Sequence, residues 1–416
     1  FWGTKINGMN VAGKTADQVI EMFDKKANDY SLTIKERKDK TETLTSDQLR
    51  TKFEGADEIK QIKEDQGSFG WLKGLIGSEH YDNVTMYSYD TKSFTKAYKK
   101  LDAFNNKKMI KIANAKPVYK DGKFEIQKEE EGTELKKDVA AKKIGEAVKD
   151  GLSTISLDKE NCYDNPEYTS DNDKLINLAK DMNKKLKGSI TYKFGKQVVV
   201  LDKNTYSSWL KTKKDYSGYK VDKNAMENWL LKFMYKYNTQ YGWHKFKTHD
   251  GRTKKIYGGP YGWRISKDKE MASVKKMLAN GTTETREPYW REKAKVYDGV
   301  NGDIGDTYVE VDMGAQTVYY YKKGKVVLDT PFVSGRMTKD RFTPPGVYFL
   351  TYKQKDRILR GRPNASGQPS YQSHVNYWMP FNGGIGLHDA SWRSSFGGKI
   401  YIYSGSHGCI NLPGKK

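Results

Sequence analysis

The sequence predicts a multidomain protein in which two α+β modules precede a mainly β, sandwich-like C-terminal domain. Its 416 residues exceed what one ordinary hydrophobic core accommodates. Amphipathic helical periodicity alternates with short strands through most of the chain, whereas the last part alternates apolar and polar residues between turns. We place the domains at residues 1–165, 166–298 and 299–416.

The composition indicates a folded and strongly basic chain. It has 74 Lys and Arg against 52 Asp and Glu, a formal net charge of +22, and 29 tyrosines that supply large buriable side chains. Such a charge attracts anionic partners, among which are nucleic acid, anionic membrane surfaces and acidic wall polymers. Neither a run of about 18 apolar residues nor a signal-type apolar segment occurs in the sequence.

The first module begins with two short strands followed by a helix. Thr15 is the expected N-cap of this helix, because Val19 and Phe23 follow at helical spacing. A strand, a polar stretch and a second helix that starts near Ser46 come next.

A similar order of elements recurs later in the chain. Aligning Ser31 with Ser189 places Leu44 within one residue of Leu201. Residues 132–151 and 218–237 each fit a short strand that leads into a helix. We interpret these matches as a duplicated α+β unit.

The C-terminal domain follows a glycine-rich break at residues 299–305. Turns at 313–316 and 322–325 separate alternating segments, as is typical of antiparallel hairpins. Two further strands are predicted at 343–353 and 399–403.

The segment YSGSHGCINLP places Cys409 after a predicted strand and a glycine-punctuated turn. A nucleophile in such a turn is both exposed and rigidly held. Gly408 allows a carbonyl substrate to approach, and the N–H groups of Gly408 and Cys409 suit an oxyanion hole. Because a free thiol ionises only slightly at neutral pH, Cys409 needs a base. We assign His388 to this role and expect an apparent pKa of Cys409 below that of a free thiol.

Other interpretations of the cysteines remain open from the residues alone. Cys409 also fits a small buried hydrophobe, or a metal ligand with His388 and His407, although this group has no evident fourth ligand. Cys162 has no nearby histidine in sequence and is expected to be structural. We predict no metal and no cofactor.

The segment HDASWRSSFGGKIYIYSGSHGCIN resembles the signature of the YkuD-type L,D-transpeptidases. In it, 17 residues separate His388 from Ser406. The resemblance extends over residues 303–416 and includes Gln316 and the TPPGVY segment at 343–348.

Upstream, the KTHDG segment (247–251) and the GGPYGWRI segment (258–265) resemble the peptidoglycan-binding domains that precede this catalytic domain in Gram-positive bacteria. Relatives continue beyond the signature with a helix and a strand, whereas only LPGKK follows Asn411, so we expect the domain to be clipped.

The resemblance implies a function, which is 3→3 cross-linking of peptidoglycan. In this mechanism Cys409 attacks a tetrapeptide stem, D-Ala leaves, and a thioester forms. His388 transfers the proton, and the backbone carbonyl of Asp389 holds the imidazole tautomer. N–H groups of His407, Gly408 and Cys409 stabilise the oxyanion. The amine of a second stem then resolves the thioester.

The resemblance also implies a substrate groove and partners. Arg393 or Arg336 is expected to pair with a stem carboxylate. Expected partners are peptidoglycan stems and glycan, anionic wall polymers, and carbapenems as inhibitors. The residues expected to line the groove are Ser406, Tyr377, Trp378, Phe381, Trp392 and Arg393.

Two alternative functions use the same sequence features. Hydrolysis of the thioester would make the protein an L,D-carboxypeptidase, and an inert catalytic domain would leave a wall-binding scaffold. No nucleic-acid recognition motif is present, and a sortase would need an arginine downstream of Cys409, which NLPGKK does not supply. We expect the protein on the extracellular face of the cell envelope, tethered by a membrane segment upstream of Phe1.

Overall fold

The computed structural model divides the chain into two compact units, whose bounds are Phe1–Val118 with Phe124–Ala179, and Tyr119–Lys123 with Lys180–Lys416. It describes residues 1, 3–67, 77–82, 84–299 and 301–414. Val300 of the predicted break and the two final lysines of LPGKK lie outside these residues. No helix in the described ranges is long and apolar enough to cross a bilayer.

Up to Lys184, the described chain forms short strands and six helices. The helices α1–α6 are Ala16–Asn28, Ser46–Leu49, Ala56–Gln66, Thr91–Tyr98, Lys137–Lys149 and Asp173–Lys184. The strands β1–β10 are Thr4–Ile6, Met9–Asn10, Ser31–Lys35, Thr41–Thr45, Lys52–Phe53, Glu79–Tyr81, Tyr87–Ser88, Lys116–Lys120, Lys123–Gln127 and Thr154–Ser156.

The described chain after Lys184 contains more strand and four helices. The helices α7–α10 are Lys203–Tyr206, Lys223–Tyr237, Lys267–Asn280 and Ile400–Ser404. The strands β11–β19 are Ser189–Phe194, Gln197–Leu201, Leu210–Thr212, Tyr219–Val221, Trp243–Lys247, Thr253–Tyr257, Arg264–Ile265, Thr283–Arg286 and Trp290–Glu292. The strands β20–β26 are Tyr308–Asp312, Thr317–Lys322, Lys325–Pro331, Gln354–Arg360, Gln372–Asn382, Ile385–Asp389 and Ile410–Leu412.

Helix α1 begins where its sequence predicts. The Thr15 hydroxyl accepts a hydrogen bond from the Gln18 N–H at 3.2 Å, and the Gln18 side chain accepts one from the Thr15 N–H at 3.0 Å. This capping box satisfies two N–H groups that the helix leaves unpaired. The apolar face of α1 buries Val19, Phe23 and Ala27.

The same strand order occurs in two three-stranded sheets. Strands β3 and β4 form an antiparallel hairpin with β10 parallel to β3. Strands β11 and β12 form an antiparallel hairpin with β18 parallel to β11. A helix precedes the parallel strand in each sheet, α5 before β10 and α9 before β18. The sequence matched residues 132–151, which contain α5, with residues 218–237, which contain α8. In the order of elements α5 corresponds to α9 instead, because α8 leads into the β15–β16 hairpin.

The C-terminal part of the second unit contains a three-stranded sheet, β20-β21-β22, and a four-stranded sheet, β23-β24-β25-β26. All neighbours are antiparallel except β25 and β26. The turns predicted at 313–316 and 322–325 are present between strands β20, β21 and β22. A small buried cluster, Val318, Phe332, Leu387 and Ile410, joins residues of both sheets.

Two strands predicted in this region are absent from the described structure. Residues 400–404 form helix α10 instead, after Gly397 and Gly398, whose φ values of 86° and 58° turn the chain. Residues 343–353 form no ladder, because Pro344 and Pro345 provide no N–H donor. Their backbone bonds are isolated, such as the Thr351 N–H to the Pro380 carbonyl at 2.8 Å. The alternation of apolar and polar side chains predicted these strands, but it did not specify a strand with which they would pair.

The GGPYGWRI segment packs against the TPPGVY segment within the second unit. The Val347 N–H donates to the Gly258 carbonyl at 3.0 Å, and the Tyr261 N–H donates to the Val347 carbonyl at 3.3 Å. Gly259 has a φ of +92°, and a Cβ at this position would lie 2.0 Å from the Val347 carbonyl oxygen. The close approach of the two segments therefore requires glycine.

We predict that Gly259→Ala lowers the free energy of unfolding by about 3 kcal/mol or more, because left-handed backbone strain adds to a backbone clash. Gly251→Ala is the matched control, since Gly251 has a φ of +85° and nothing within 4 Å of its added Cβ. It should cost only about 1 kcal/mol. Calorimetry compares the two unfolding midpoints, and equal midpoints would contradict the close approach.

Candidate active site

Parallel strands β25 and β26 bring His388 and the Cys409 turn together. Leu387 pairs with Ile410, and His388 pairs with Asn411. Cys409 immediately precedes β26 and is partly exposed. Its thiol donates a hydrogen bond to the Gly384 carbonyl at 3.7 Å. The histidine on β25 and the cysteine just before β26, 21 positions apart in sequence, are thus brought together by the pairing of these two strands.

The hydroxyl of Ser406 holds the Cys409 turn. It donates to the Cys409 carbonyl at 2.6 Å and accepts from the Gly408 N–H at 3.1 Å. Ser406 is buried, and its hydroxyl hydrogen is used within the turn. The structure therefore shows that Ser406 shapes the turn, whereas its place in the substrate groove stays a prediction.

Thr343 and Gly335 support the turn from the other side. The Thr343 hydroxyl donates to the Gly408 carbonyl at 2.7 Å and accepts from the Gly335 N–H at 3.0 Å. A Cβ on Gly335 would lie 2.8 Å from the Gly408 Cα. Thr343 begins the TPPGVY segment, for which the sequence indicated no role in the site. The structure makes Thr343 a positioning residue.

Gln316 is a second positioning residue that the sequence assignment missed. Its buried side chain accepts from the Ser334 N–H at 3.0 Å and donates to the Met313 carbonyl at 2.7 Å. The residue before Ser334, Val333, exchanges backbone hydrogen bonds with Asn411, both at 3.0 Å. Gln316 therefore fixes the segment on which β26 rests.

The imidazole of His388 is buried and has one defined tautomer. Its Nδ1 lies 2.8 Å from the Asp389 carbonyl oxygen. Because a carbonyl oxygen only accepts, Nδ1 carries the proton and Nε2 of the neutral ring carries the lone pair. The contact predicted between His388 and the Asp389 carbonyl is present, and it leaves Nε2 as the basic nitrogen.

The carboxylate of Asp389 fixes the backbone around His388. It accepts hydrogen bonds from the Asn376 N–H at 3.1 Å, the Asn376 side-chain amide at 2.9 Å and the Tyr377 N–H at 2.8 Å. Burial acts in the opposite sense, but these hydrogen bonds lower the pKa of Asp389 below its ordinary value. The carboxylate is thus charged and anchors β25 to β24.

Burial shifts the pKa values of both candidate catalytic groups toward their neutral forms. Burial raises the pKa of the Cys409 thiol, against a smaller opposing effect of a backbone hydrogen bond from Gly386. Burial lowers the pKa of His388 and outweighs the opposing effects of the Asp389 hydrogen bond and charge, and the Arg393 charge adds a smaller lowering. The pKa of Cys409 in the resting site is therefore shifted in the direction opposite to the expected one, because desolvation outweighs the backbone hydrogen bond from Gly386.

Among the described residues, His388 and Cys409 share no hydrogen bond. Together with the two pKa directions, this geometry indicates a neutral thiol and a neutral imidazole at rest. Proton transfer would then accompany nucleophilic attack, as in general base catalysis. The site thus favours the neutral pair over a stable thiolate–imidazolium pair.

The oxyanion donors differ from those expected. The Gly408 N–H is committed to the Ser406 hydroxyl, so it is not free to receive an oxyanion. The N–H groups of His407 and Cys409 have no hydrogen bond in the part of the chain that the structure describes. They are the donors that this turn offers.

The predicted groove aromatics divide into exposed and buried residues. Tyr377 and Trp392 are 53% and 50% exposed, and the Trp392 ring centroid lies 5.9 Å from that of His388. Trp378 is only 4% exposed, and its Nε1 donates to the Tyr352 hydroxyl at 3.3 Å. Phe381 packs partly buried beside Tyr348. Trp378 also lies beside His388, with ring centroids 5.8 Å apart, so it packs against the imidazole from the buried side. Phe381 contributes packing against Tyr348.

The two candidate arginines also differ. Arg393 is partly buried, burial lowers its pKa, and its Nε has no hydrogen-bond partner among the described residues. Such a donor is costly to bury without an acceptor. Arg336 is exposed, and its backbone N–H donates to the Ser406 carbonyl at 3.0 Å. Arg393 is the better candidate for a carboxylate of the substrate.

His407 contacts an aromatic residue that the sequence did not assign to the site. Its exposed ring stacks on Tyr371, with ring centroids 5.0 Å apart. Burial and the Cys409 charge when ionised raise the pKa of Tyr371, against a smaller opposing effect of the Arg341 charge. Sequence reasoning did not identify Tyr371, because it lies 36 positions upstream of His407 with no motif around it.

Two regions of the chain match known family models. Residues 306–416 match the YkuD model, described as the L,D-transpeptidase catalytic domain. Residues 168–286 match a model described as "Putative peptidoglycan binding domain". No curated protein matched the chain.

Solved structures of L,D-transpeptidases are similar to this chain. A cysteine-to-serine mutant of the Enterococcus faecium L,D-transpeptidase is 34% identical, over 56% of this chain and 91% of that chain, with a TM-score of 0.45. The Ldtfm-avibactam carbamoyl enzyme is 34% identical, over 57% and 90%, with a TM-score of 0.46. The catalytic domain of the E. faecium enzyme acylated by ertapenem is 47% identical, over 27% and 85%, with a TM-score of 0.24.

We predict that alkylation of Cys409 by iodoacetamide accelerates with pH, with a midpoint above the value of about 8.5 for a free thiol, because burial disfavours the thiolate. Cys162→Ser removes the second, buried thiol from the measurement. His388→Gln should leave the midpoint nearly unchanged, since the two groups form no ion pair at rest. A midpoint near neutrality that His388→Gln raises would instead reveal a preformed pair.

Proposed function

The chain belongs to the YkuD L,D-transpeptidase family, and from this membership we propose that it forms 3→3 peptidoglycan cross-links through a cysteine thioester. The observation that carries the proposal is the pairing of β25 with β26. It sets a histidine of defined tautomer beside a turn that presents a partly exposed cysteine. This combination suits acyl transfer.

The first step is acylation of Cys409 by a tetrapeptide stem. Nε2 of His388 takes the thiol proton while Sγ bonds to the carbonyl carbon that precedes the terminal D-Ala. The N–H groups of His407 and Cys409 donate to the oxyanion of the tetrahedral intermediate. The imidazolium returns the proton to the leaving nitrogen, the C–N bond breaks, and D-Ala departs.

The second step transfers the acyl group to another stem. The side-chain amine of the acceptor's third residue attacks the thioester carbonyl, and His388 receives a proton from this nitrogen. The C–S bond breaks, and the thiolate of Cys409 takes the proton from the imidazolium. One amide bond is thus exchanged for another, without a cofactor.

The exposed aromatic residues beside His388 suit the stem peptide. Trp392 and Tyr377 offer apolar surface on the accessible side of the site. Arg393 brings a guanidinium with an unpaired Nε, which fits a stem carboxylate. Together these groups would hold the donor stem with its carbonyl against Cys409.

β-Lactams fit the same chemistry. The similar proteins of known structure carry an ertapenem acyl group or an avibactam carbamoyl group. A carbapenem presents a strained amide carbonyl to the thiolate, and ring opening gives a stable thioester. We therefore propose that carbapenems acylate Cys409 and inhibit the enzyme.

The upstream part of the chain fits wall binding. The recurrence of β3-β4 with β10 and of β11-β12 with β18 supports two copies of one α+β unit, at 1–165 and 166–298, ahead of the catalytic domain at 299–416. Net basic charge would attract acidic stems and anionic wall polymers. Because its substrate lies outside the membrane, we place the protein on the extracellular face of the envelope, tethered upstream of Phe1.

We predict that a carbapenem adds its full mass to Cys409, and that His388→Ala slows this acylation by at least about 100-fold, the contribution typical of a general base. Intact-mass measurements over time give the rate. Cys409→Ala should give no adduct, and Cys162→Ser should react like the unmodified chain. Acylation of His388→Ala at the unmodified rate would remove His388 as the base.

We predict that incubation with a disaccharide-tetrapeptide yields a cross-linked dimer and free D-Ala. Mass spectrometry separates this dimer from a trimmed tripeptide. Tripeptide alone would identify an L,D-carboxypeptidase, since water then resolves the thioester. If neither product forms and the carbapenem gives no adduct, the remaining function would be that of a wall-binding scaffold.

A further inference from the structure

The hairpin formed by β15 and β16 has two faces of different character. Trp243 pairs with Tyr257, and Lys245 pairs with Lys255. Since successive residues of a strand alternate between faces, these four share one face. His244 and Phe246 lie on the opposite face and are buried. The hairpin thus uses one face for packing and leaves the other to solvent.

The solvent face carries two large aromatic rings. Trp243 and Tyr257 are 63% and 60% exposed, although their ring centroids lie only 4.9 Å apart. Such a cross-strand aromatic pair stabilises a hairpin. It also forms a contiguous apolar surface, and surfaces of this kind mark interaction sites when charged groups surround them.

The same face carries three lysines and no carboxylate. Lys245 lies directly opposite Lys255, and Lys247 follows two positions along the strand. In the described part of the chain, none of these lysines has an ion-pair partner. Like charges placed opposite each other destabilise a strand pair. An anionic ligand would remove this repulsion.

The backbone next to the hairpin adds a further cost. Tyr241, two residues before Trp243, is 57% exposed and has a φ of 59°. This left-handed conformation is unfavourable for a bulky residue. An exposed tyrosine gains little from packing, so its strained position is another sign of a binding surface.

We propose that this face, the hairpin platform (Trp243, Lys245, Lys247, Lys255 and Tyr257), binds the glycan strand of peptidoglycan with its acidic stems. Sugar rings have flat C–H faces that stack on aromatic rings, whereas the lysines match the stem carboxylates. Flexible polyol phosphates would meet the lysines but leave the aromatic pair unused. The platform extends for about 13 Å along β15, at ~3.3 Å per residue.

The identity of this ligand rests on the proposed function, but the platform is separate from Cys409 in sequence and chemistry. Its role would be to hold the enzyme on the polymer while the site acts on the stems. Binding to the polymer and acylation of Cys409 are therefore measured independently.

The test uses the full chain and insoluble peptidoglycan stripped of wall polymers, with the bound fraction measured by sedimentation. We expect W243A/Y257A to weaken binding by about tenfold, on the scale of one lost aromatic contact. K245Q/K255Q should weaken binding and make it less sensitive to salt, because two charge contacts are lost. Near-ultraviolet circular dichroism and the melting midpoint confirm that each variant is folded.

Two matched controls lie in the same module. Tyr235 is 92% exposed on α8, so Y235A removes an exposed aromatic ring outside the platform. Lys211 and Lys220 form another cross-strand lysine pair, so K211Q/K220Q removes the same charge elsewhere. Both controls should bind like the unmodified chain.

Three outcomes would overturn the platform. These are unchanged binding in both platform variants, equal weakening in the controls, and tighter binding to poly(glycerol phosphate) than to peptidoglycan. Acylation by a soluble carbapenem should stay unchanged in all four variants. If the unmodified chain shows no acylation but binds peptidoglycan through the platform, the proposed catalytic function fails and the platform stands.

Discussion

The candidate site depends on one structural constraint, the parallel pairing of two short strands. Antiparallel hairpins need only a tight turn, but parallel neighbours need a crossover. Here the crossover between β25 and β26 contains helix α10 and ends in the Cys409 turn. Because His388 pairs with Asn411, the histidine and the cysteine are held in register by main-chain hydrogen bonds, and their separation does not depend on side-chain packing alone.

The buried polar groups around this strand pair are satisfied by one another. Thr343 links Gly335 to Gly408, and Gln316 links Ser334 to the turn that precedes β21. Buried polar networks of this kind are costly when incomplete and rigid when complete. The network therefore explains why residues far apart in sequence, each with no chemistry of its own, determine where the thiol lies.

Within the second unit, the module that precedes the catalytic domain is joined to it by specific contacts. The ring of His249 stacks on Tyr319 with centroids 3.8 Å apart, and its Nδ1 lies 2.8 Å from the Tyr321 hydroxyl. Buried His244 contacts Asp303 at 2.8 Å. Two segments that resemble wall-binding motifs, KTHDG and GGPYGWRI, thus serve as docking elements. A polymer bound on the hairpin platform would be held on the same body as the thiol.

The sequence alone determined the elements whose causes are local. Thr15 predicted a helix start, turns at 313–316 and 322–325 predicted hairpins, and the spacing of His388 and Cys409 predicted the family. These features depend on neighbouring residues, which the sequence displays directly. The same local reasoning failed for 399–403, where alternating isoleucine and tyrosine favoured a strand. Residues 400–404 instead form a helix after the turn at Gly397 and Gly398.

Only the tertiary structure decided the states of the groups in the site. It buried Trp378 and exposed Trp392, committed the Gly408 N–H to Ser406, and gave His388 its tautomer through the Asp389 carbonyl. It also reversed the expected pKa direction of Cys409, since the thiol is desolvated. Burial and hydrogen-bond geometry are properties of atoms brought together from distant parts of the chain, and no pattern along the sequence records them.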